Sequence, residues 1–455
     1  MTTRRSLIRA AVGLGVGGAL ARGVRATGAQ AAPAWLARLG EPAARHDDQP
    51  LEANNMRLLA AHDLNGYGLM GEGIAIQQLS NGRRIGYFAN ESGPMGMSVV
   101  EVTNPRNPGV LLQVPAENDH TRFNSLSMSG DLLAVARQTA DPGQNLAGLA
   151  VYDASDPENL RQISFFDTSG PFSRGAHFVW FVDGRYAWLS TGMPDFRPTN
   201  QNDDQILVVV DLQDPENPVE ASRWWLPGMA AGEPPLTRLS RDSGYRMHNA
   251  NALPSHPNRA YLGWIDGGYV ILDTSDIEHP RLISNLNPYL GGRGNGFAHT
   301  LVPHLGRGLL IGSEEAVTDH CTDHPKNIYT IDVTDESNPT LIAAVPLPDP
   351  NAYCDRGGRF GSHNVHENHE QPTARELHNV LAGSFFTGGV RMYDFSESAH
   401  PKEIAAYVPD KPPNSRTTAI QINDVFVDNN GVFYAGDRLG GGLYILEYTG
   451  SVPLA

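Results

Sequence analysis

The chain has 455 residues, of which 40% are hydrophobic, and a formal net charge of −16. This size and hydrophobic content are sufficient for a large buried core. The acidic excess is spread along the sequence and no basic cluster occurs, which argues against nucleic-acid partners. Beyond the N-terminus, no run approaches the roughly 18 apolar residues of a membrane span, so we expect no transmembrane segment.

The N-terminus is typical of an export signal, which we place at residues 1–31. Arg4 and Arg5 precede an apolar stretch rich in glycine and alanine at positions 10–21, and a small-residue cleavage pattern follows at 29–31. Paired arginines before a weakly hydrophobic stretch indicate the twin-arginine export route, with an ordinary secretory signal as the alternative. Both interpretations predict a secreted or periplasmic protein.

The two cysteines, Cys321 and Cys354, both lie in segments rich in polar residues and glycine that are typical of loops. In an oxidising compartment such a pair can form a disulfide, and two free thiols are the alternative. We predict a disulfide between them.

A β-strand motif recurs about every 50 to 60 residues from position 56 onward. Each of seven copies is an apolar run closed by an acidic residue and a polar turn, as in Leu149-Ala-Val-Tyr-Asp153 and Leu207-Val-Val-Val-Asp211. Two strands joined by a tight turn precede the copies, and Asp183-Gly184 is such a turn. Four antiparallel strands repeated seven times predict an all-β fold, a seven-bladed β-propeller. We place it at residues 55–450, after a linker at 32–54 and before a C-terminal tail at 451–455.

The last copy lacks an outer strand of its own, and the N-terminal end of the propeller region supplies a candidate. Residues 55–61 (Asn-Met-Arg-Leu-Leu-Ala-Ala) match the pattern of the outer strand at 339–345. We therefore expect an N-terminal strand to complete the last blade, because closure removes an exposed sheet edge. The aspartates that end the repeated strands should hydrogen-bond their own turns; they include Asp153, Asp211, Asp273 and Asp394.

These repeats resemble the LVIVD-repeat β-propeller family over about residues 56–450. The resemblance implies the fold. It implies no activity, because most members of that family are uncharacterised and function resides in sites rather than in folds.

One position of the repeat carries histidine in four consecutive units, at the start of the first strand. These residues are His177, His248, His299 and His363. Other polar residues occupy the position elsewhere, namely Glu72, Asn124 and Asn423, which we expect to line the channel. The first strand of a propeller blade lines the central channel, so the four imidazoles should point toward one axis. Imidazole is a common ligand of first-row metals, and the pattern predicts a mononuclear metal site at the channel mouth. The alternative is that each histidine only hydrogen-bonds its neighbours.

Further acidic residues and a histidine should lie on the same face. Glu314 and Glu315 directly follow a predicted second strand, and His366 and Glu367 come shortly after His363. A carboxylate there could orient a ligating imidazole or act as a general base, and a solvated acidic loop is the alternative. His366 lies three residues past His363 and faces the opposite way on a strand, which favours a supporting or structural role.

The pattern favours a secreted metal-dependent enzyme that acts on a small molecule. Carotenoid-cleavage oxygenases hold Fe(II) with four histidines in a seven-bladed propeller, and the selenium-binding protein and methanethiol oxidase group also has a metal site on a propeller. These similarities of architecture favour iron, with copper, zinc or manganese as alternatives. They favour oxidoreductase or oxygenase chemistry ahead of metal-assisted lyase or hydrolase chemistry. The alternative function is a non-catalytic extracellular propeller that binds a protein or glycan.

Overall fold

A computed structural model describes residues 50–238, 243–290, 296–323, 326–413 and 415–454. The predicted export signal and most of the predicted linker lie outside these residues. The described segments form an all-β fold with a single four-residue α-helix, α1 (Asn351–Cys354). Short 3-10 helices lie at Leu64–Gly66, Gln201–Asp203 and Leu305–Arg307. None of the helices in these segments has the length and apolar character that a membrane crossing requires.

The chain first forms two strands, β1 (Glu52–Asn54) and β2 (Met56–His62), and then runs through successive antiparallel meanders. The first meander consists of β3 (Met70–Gln78), β4 (Arg84–Asn90), β5 (Met95–Glu101) and β6 (Gly109–Pro115). The second consists of β7 (Thr121–Ser129), β8 (Leu132–Thr139), β9 (Gly148–Asp153) and β10 (Arg161–Asp167). One parallel pairing between β3 and β7 joins the two meanders into a sheet of eight strands.

Three four-stranded antiparallel sheets follow. One contains β11 (Ala176–Trp180), β12 (Tyr186–Thr191), β13 (Ile206–Asp211) and β14 (Val219–Trp224). The next contains β15 (Ala250–Asn251), β16 (Arg259–Trp264), β17 (Gly268–Asp273) and β18 (Arg281–Leu286). The third contains β19 (Ala298–His304), β20 (Leu309–Glu314), β21 (Ile328–Asp332) and β22 (Thr340–Ala344).

The last two sheets combine C-terminal strands with the two N-terminal ones. One contains β23 (Val380–Ser384), β24 (Val390–Asp394) and β25 (Lys402–Val408), with β1 added beside β25. The other contains β26 (Ile422–Val427), β27 (Val432–Asp437) and β28 (Gly442–Tyr448), with β2 added beside β28. The β-propeller fold that the repeat predicts is confirmed, and the number of blades stays the count made from the repeat.

The N-terminal strand closes the last sheet as predicted. β2 runs antiparallel to β28, with Leu58 opposite Leu446 and His62 opposite Leu443. The end of the predicted linker is also a strand, because Glu52–Asn54 pairs with β25 of the preceding sheet. Asn55 separates the two strands with a left-handed φ of 50°, so consecutive strands of the chain join different sheets.

The turn role of the repeated aspartates is confirmed. In each turn the Oδ1 atom accepts a hydrogen bond from the backbone N–H two residues further on, which fixes the reversal after the strand. The pairs are Asp153–Ser155 (3.0 Å), Asp211–Gln213 (2.8 Å), Asp273–Ser275 (3.0 Å) and Asp394–Ser396 (2.8 Å).

Cys321 and Cys354 are bonded, with their Cα atoms 5.5 Å apart, and so link the loop after β20 to the end of α1. Their sequence separation is 33 residues. Closing a loop of this size removes conformations mainly from the unfolded chain.

We predict that replacing both cysteines by serine lowers the free energy of unfolding by about 2–4 kcal/mol. Denaturant titration under non-reducing conditions measures the difference. The wild-type protein in reductant should approach the stability of the double variant, and the variant itself should not respond to reductant. Equal stability of the two proteins without reductant would contradict this prediction.

Candidate metal centre

β-Bulges lie at the predicted ligand position of two histidines, whereas His248 and His363, which were predicted at the start of a strand, lie outside the strands of the structure. The pairing register shifts on either side of His177 in β11 and on either side of His299 in β19. The same irregularity occurs around the equivalent polar residues of other inner strands, Glu72 in β3, Asn124 in β7 and Asn423 in β26. A bulge leaves one residue unpaired and re-aims its side chain, which is common beside functional sites. The bulges give a local reason for the shared direction of these side chains.

The structure brings the four histidines together as a row of neighbouring rings. The ring centroids are 4.5 Å apart for His177 and His248, 3.8 Å for His248 and His299, and 4.5 Å for His299 and His363. The Nε2 atoms of His177 and His248 are 3.0 Å apart. Three of the rings are buried, whereas 13% of the His177 side chain is exposed. The row therefore opens to solvent at the His177 end.

The Glu72 carboxylate lies in the middle of this row. Its oxygens are 3.8 Å from Nε2 of His177, 3.7 Å from Nε2 of His299 and 3.6 Å from Nε2 of His363, whereas the nitrogen of His248 that lies 3.9 Å away is Nδ1. These gaps are too wide for hydrogen bonds. Two ligands of one ion with bonds near 2 Å are separated by at most about 4 Å, and the observed distances fit that limit. Glu72, expected only to line the channel, thus lies among the candidate ligands.

Glu315 is the second carboxylate that faces the rings. Its two oxygens lie 3.7 Å from Nε2 of His248 and 3.7 Å from Nε2 of His363. Glu314, the other acid considered from sequence, points away, since its Oε2 accepts hydrogen bonds from the Asn327 N–H (2.9 Å) and the Tyr329 hydroxyl (3.1 Å). The strand alternation therefore turns only one of the two consecutive acids toward the centre.

Each of the four imidazoles has an oxygen partner on its Nδ1 side. The partners are Gln138 Oε1 for His177 (2.9 Å), Asn249 Oδ1 for His248 (2.7 Å), Thr300 Oγ1 for His299 (2.7 Å) and the Asn423 carbonyl for His363 (2.5 Å). A ring whose Nδ1–H donates to such an oxygen presents an unprotonated Nε2 on its other side. Metal-binding histidines are held in this way, which fixes both the tautomer and the ring orientation.

The electrostatics of the cluster favour a bound cation. Glu72 Oε2 and the Nε2 atoms of His299 and His363 are buried, and none has a hydrogen-bond partner among the described residues. Leaving such atoms unpaired is costly. A positive ion among the Nε2 lone pairs and carboxylate oxygens would satisfy all of these atoms at once.

The pKa shifts follow the same geometry. Burial and the neighbouring His248 hold the pKa of His177 well below its usual value, and burial with the neighbouring rings does the same to His299. Burial opposes ionisation of Glu72, but the surrounding imidazoles hold its pKa well below the ordinary range. His363 differs, because facing both Glu315 and Glu72 outweighs burial and raises its pKa. The cluster thus favours an ionised Glu72 and opposes protonation of His177 and His299, whereas His363 holds a proton more readily.

His366 has the structural role that its spacing predicts. Its Nε2 lies 2.6 Å from the Arg375 carbonyl, and its Nδ1 accepts a hydrogen bond of 3.1 Å from the Val427 N–H. Both contacts lead away from the rings and join neighbouring sheets. It therefore does not belong to the candidate ligands.

Glu367 contacts the cluster indirectly, through Asn249. Its Oε1 accepts hydrogen bonds from the side-chain amides of Asn249 (3.1 Å) and Asn251 (3.3 Å), and Asn249 in turn holds His248. Glu367, Asp424 and Glu72 all line a cavity between the innermost strands. Burial raises the pKa of Glu367 to about 8 and that of Asp424 to about 7.

Sequence reasoning missed the groups that orient the rings. Thr300 and Asn249 directly follow His299 and His248, so a polar residue after each histidine was an available signal. Gln138 lies on β8, a second strand, where nothing in the repeat marks it. Glu72 already stood at the same repeat position as the four histidines, which was a signal for a ligand.

Comparison with known proteins gives the fold alone. The chain is similar to the Swd1 beta-propeller domain of Myceliophteria thermophila, with a TM-score of 0.50 and 13% identity over 83% of this chain and 96% of that domain. It is also similar to Raptor of Chaetomium thermophilum, with a TM-score of 0.51 and 12% identity over 84% of this chain and 28% of Raptor. The chain thus spans less than a third of the length of Raptor. No protein-family model and no curated protein matches the chain, so the LVIVD resemblance stays a prediction.

We predict that Glu367 makes the fold less stable as pH rises from about 5 to about 8. The carboxyl keeps its proton in the folded state up to a pKa of about 8, whereas the unfolded chain releases it at the ordinary glutamate pKa of 4.5. The unfolded state therefore binds fewer protons in this window, and one such group lowers the free energy of unfolding by up to about 1.4 kcal/mol per pH unit.

Denaturant titrations at several pH values test this with Glu367→Gln, which keeps the Oε1 acceptor. The stability of the variant relative to the wild type should increase with pH. Glu397→Gln is the control, because 72% of that side chain is exposed. Parallel pH profiles for the wild type and Glu367→Gln would contradict the prediction.

Proposed function

We propose that the chain is an exported metal-dependent enzyme that binds one first-row transition metal ion at the channel mouth through His177, His248, His299 and His363. The reaction we propose is of oxidoreductase or oxygenase type on a small molecule. The observation that supports this proposal is the row of four neighbouring imidazoles, each with an oxygen partner on Nδ1, in which Glu72 and Glu315 form three overlapping groups with pairs of the rings.

The donor set favours iron among the candidate metals. Imidazole suits iron, copper and zinc, and the added carboxylates of Glu72 and Glu315 give the mixed nitrogen and oxygen set of many non-haem iron sites. Copper, zinc and manganese remain the alternatives. When bound, the ion would supply redox chemistry or would polarise a substrate oxygen.

The surrounding residues would shape access to the ion. Phe386 packs on His363 with 4.8 Å between ring centroids, and Phe297 packs on His248 at 6.1 Å, so one side of the row is apolar. The exposed edge of His177 leaves the other side for substrate. Access from one side only would limit water around the reacting groups.

Glu315 is the group we propose as the proton acceptor. The Arg359 NH1 donates to its Oε1 at 2.9 Å, which fixes the carboxylate beside Nε2 of His248 and His363. Glu72 lies deeper and among all four rings, and we assign it to balancing the charge of the ion. The two acids would thus have separate roles set by position.

An exported location fits the bonded cysteines and the paired arginines of the N-terminus. Disulfides persist in oxidising compartments. The twin-arginine route carries folded proteins, which would allow a metal to be inserted before export.

We predict about one equivalent of a first-row metal in protein purified without a histidine tag, and its loss in His299→Ala. His299 is fully buried and central in the row, so its removal takes a ligand from any ion held there. His279→Ala is the matched control, since that ring is 71% exposed and contacts Asp276 instead. Elemental analysis of the three proteins, with circular dichroism to confirm folding, is the measurement.

Protein without stoichiometric metal, with a melting temperature that chelators do not change, would refute the metal centre. The non-catalytic binding propeller would then be the better interpretation.

We further predict that Glu315→Gln weakens metal binding about ten-fold or more, while Glu314→Gln leaves it within about two-fold. The two acids are adjacent and both are buried, but only Glu315 faces the rings. Competition with a chelator of known affinity measures both variants. Equal effects of the two substitutions would remove Glu315 from the centre.

A further inference from the structure

Five arginines lie around the candidate metal centre. They are Arg122, Arg174, Arg246, Arg359 and Arg438. Their side chains are between 15% and 31% exposed, so each has a buried stem and a partly accessible head. This local group of arginines contrasts with the net charge of −16 of the whole chain.

Three of the arginines connect directly to groups that hold the rings. Arg122 donates to Gln138 Oε1 at 2.6 and 3.1 Å, and the same oxygen is the partner of His177. Arg359 binds Glu315. The guanidinium carbons of Arg359 and Arg438 lie 5.5 and 5.8 Å from the ring centre of Phe386, which packs on His363. The arginines are therefore within one or two side chains of the cluster.

Most of these cations already have a carboxylate partner. Glu91 accepts hydrogen bonds from both Arg122 and Arg438. Arg174 takes both oxygens of Asp204, at 2.6 and 2.9 Å. These ion pairs hold the arginine side chains in place and stabilise their charge in a partly buried environment.

Arg246 is different. Its guanidinium donates no hydrogen bond within the described segments, and its Nε is buried without a partner. The nearest carboxylate oxygen, on Asp204, is 3.8 Å away and already engaged by Arg174. Only 19% of the Arg246 side chain is exposed, and Arg246 stands two residues before His248 in the chain. A guanidinium with five N–H donors thus stays mostly buried without hydrogen bonds close to the candidate metal centre.

A guanidinium that is mostly buried and donates no hydrogen bond is incompletely satisfied, and the groups that satisfy it best are planar or tetrahedral oxyanions. The fork of two N–H groups matches two carboxylate or phosphate oxygens. Arg174, which shares Asp204 with Arg246, lines a surface cleft together with Arg122. The cleft also contains Thr121, Thr139 and Ser92, whose hydroxyls could complete the contacts, and the acids Glu91 and Asp119. The cleft gives anions in solution access to Arg122 and Arg174.

We infer that the substrate of this centre is a small anion whose carboxylate or phosphate group binds Arg246, with Arg122 and Arg174 along its path. That this anion is a substrate rests on the proposed function. The anion site itself consists of residues that do not bind the metal, so it can be tested separately. A neutral, apolar substrate is disfavoured by the same arginines.

Isothermal titration of the intact protein with succinate, inorganic phosphate and neutral succinamide at constant ionic strength tests the inference. Each titration is made on metal-loaded and on chelator-treated protein. We expect saturable binding of at least one of the two anions, none of succinamide, and about ten-fold or more weaker anion binding in Arg246→Gln. Arg185→Gln is the control, because that arginine is 48% exposed and pairs with Asp211 on an outer part of the fold.

Arg246→Lys covers the case in which Arg246→Gln does not fold. It keeps the charge but loses the fork, so its anion binding should also be weaker than that of the wild type. Absence of saturable anion binding in metal-loaded wild type would overturn the inference, as would equal affinity in the Arg246 variants and Arg185→Gln. Arg246-dependent binding by a protein that never holds metal would preserve the anion site and refute the metal centre instead.

Discussion

The arrangement of side chains at the channel mouth depends on one buried carboxylate that is surrounded by four imidazoles. Each oxygen of Glu72 lies within 4 Å of nitrogens from rings on different sheets. In a setting of low dielectric, the charge and the rings interact strongly, and neither can move without changing every separation in the cluster. The sheets that carry the rings must therefore keep a fixed angular relation, and pairing of β2 with β28 provides it by closing the last sheet.

The sequence was sufficient for the fold and for bringing the four histidines together, because both follow from periodicity. Repeated apolar runs predicted the meanders, the aspartates predicted the turns, and four histidines at one repeat position predicted a common direction. Periodicity placed Glu72 at the same repeat position as the histidines, but it could not distinguish Glu314 from Glu315, because Glu314 ends β20 and Glu315 follows that strand. Groups outside the repeat, such as Gln138 and Arg246, had no sequence signal and became visible only through their contacts.

Cations and acids lie side by side at this site, although the chain as a whole is acidic. The chain carries −16, yet several arginines lie beside the candidate metal centre, most of them paired with carboxylates. Over distances beyond about 8–10 Å the surface charges are screened by salt, so the nearest groups decide which molecules accumulate at the mouth. Arg246, which donates no hydrogen bond within the described segments, is therefore the arginine that is available to an incoming anion.

The pairing of β2 with β28 also has a consequence for the order of folding. The contact between Arg57 and Glu447 spans 390 positions of the chain. During synthesis β2 emerges early and has no partner until β28, at Gly442–Tyr448, has left the ribosome. Each earlier meander is local and can form as it emerges, whereas the ring closes in one late step of high contact order. Until that step β2 is an unpaired edge strand, so a chaperone that covers this segment during translation would protect the protein from aggregation.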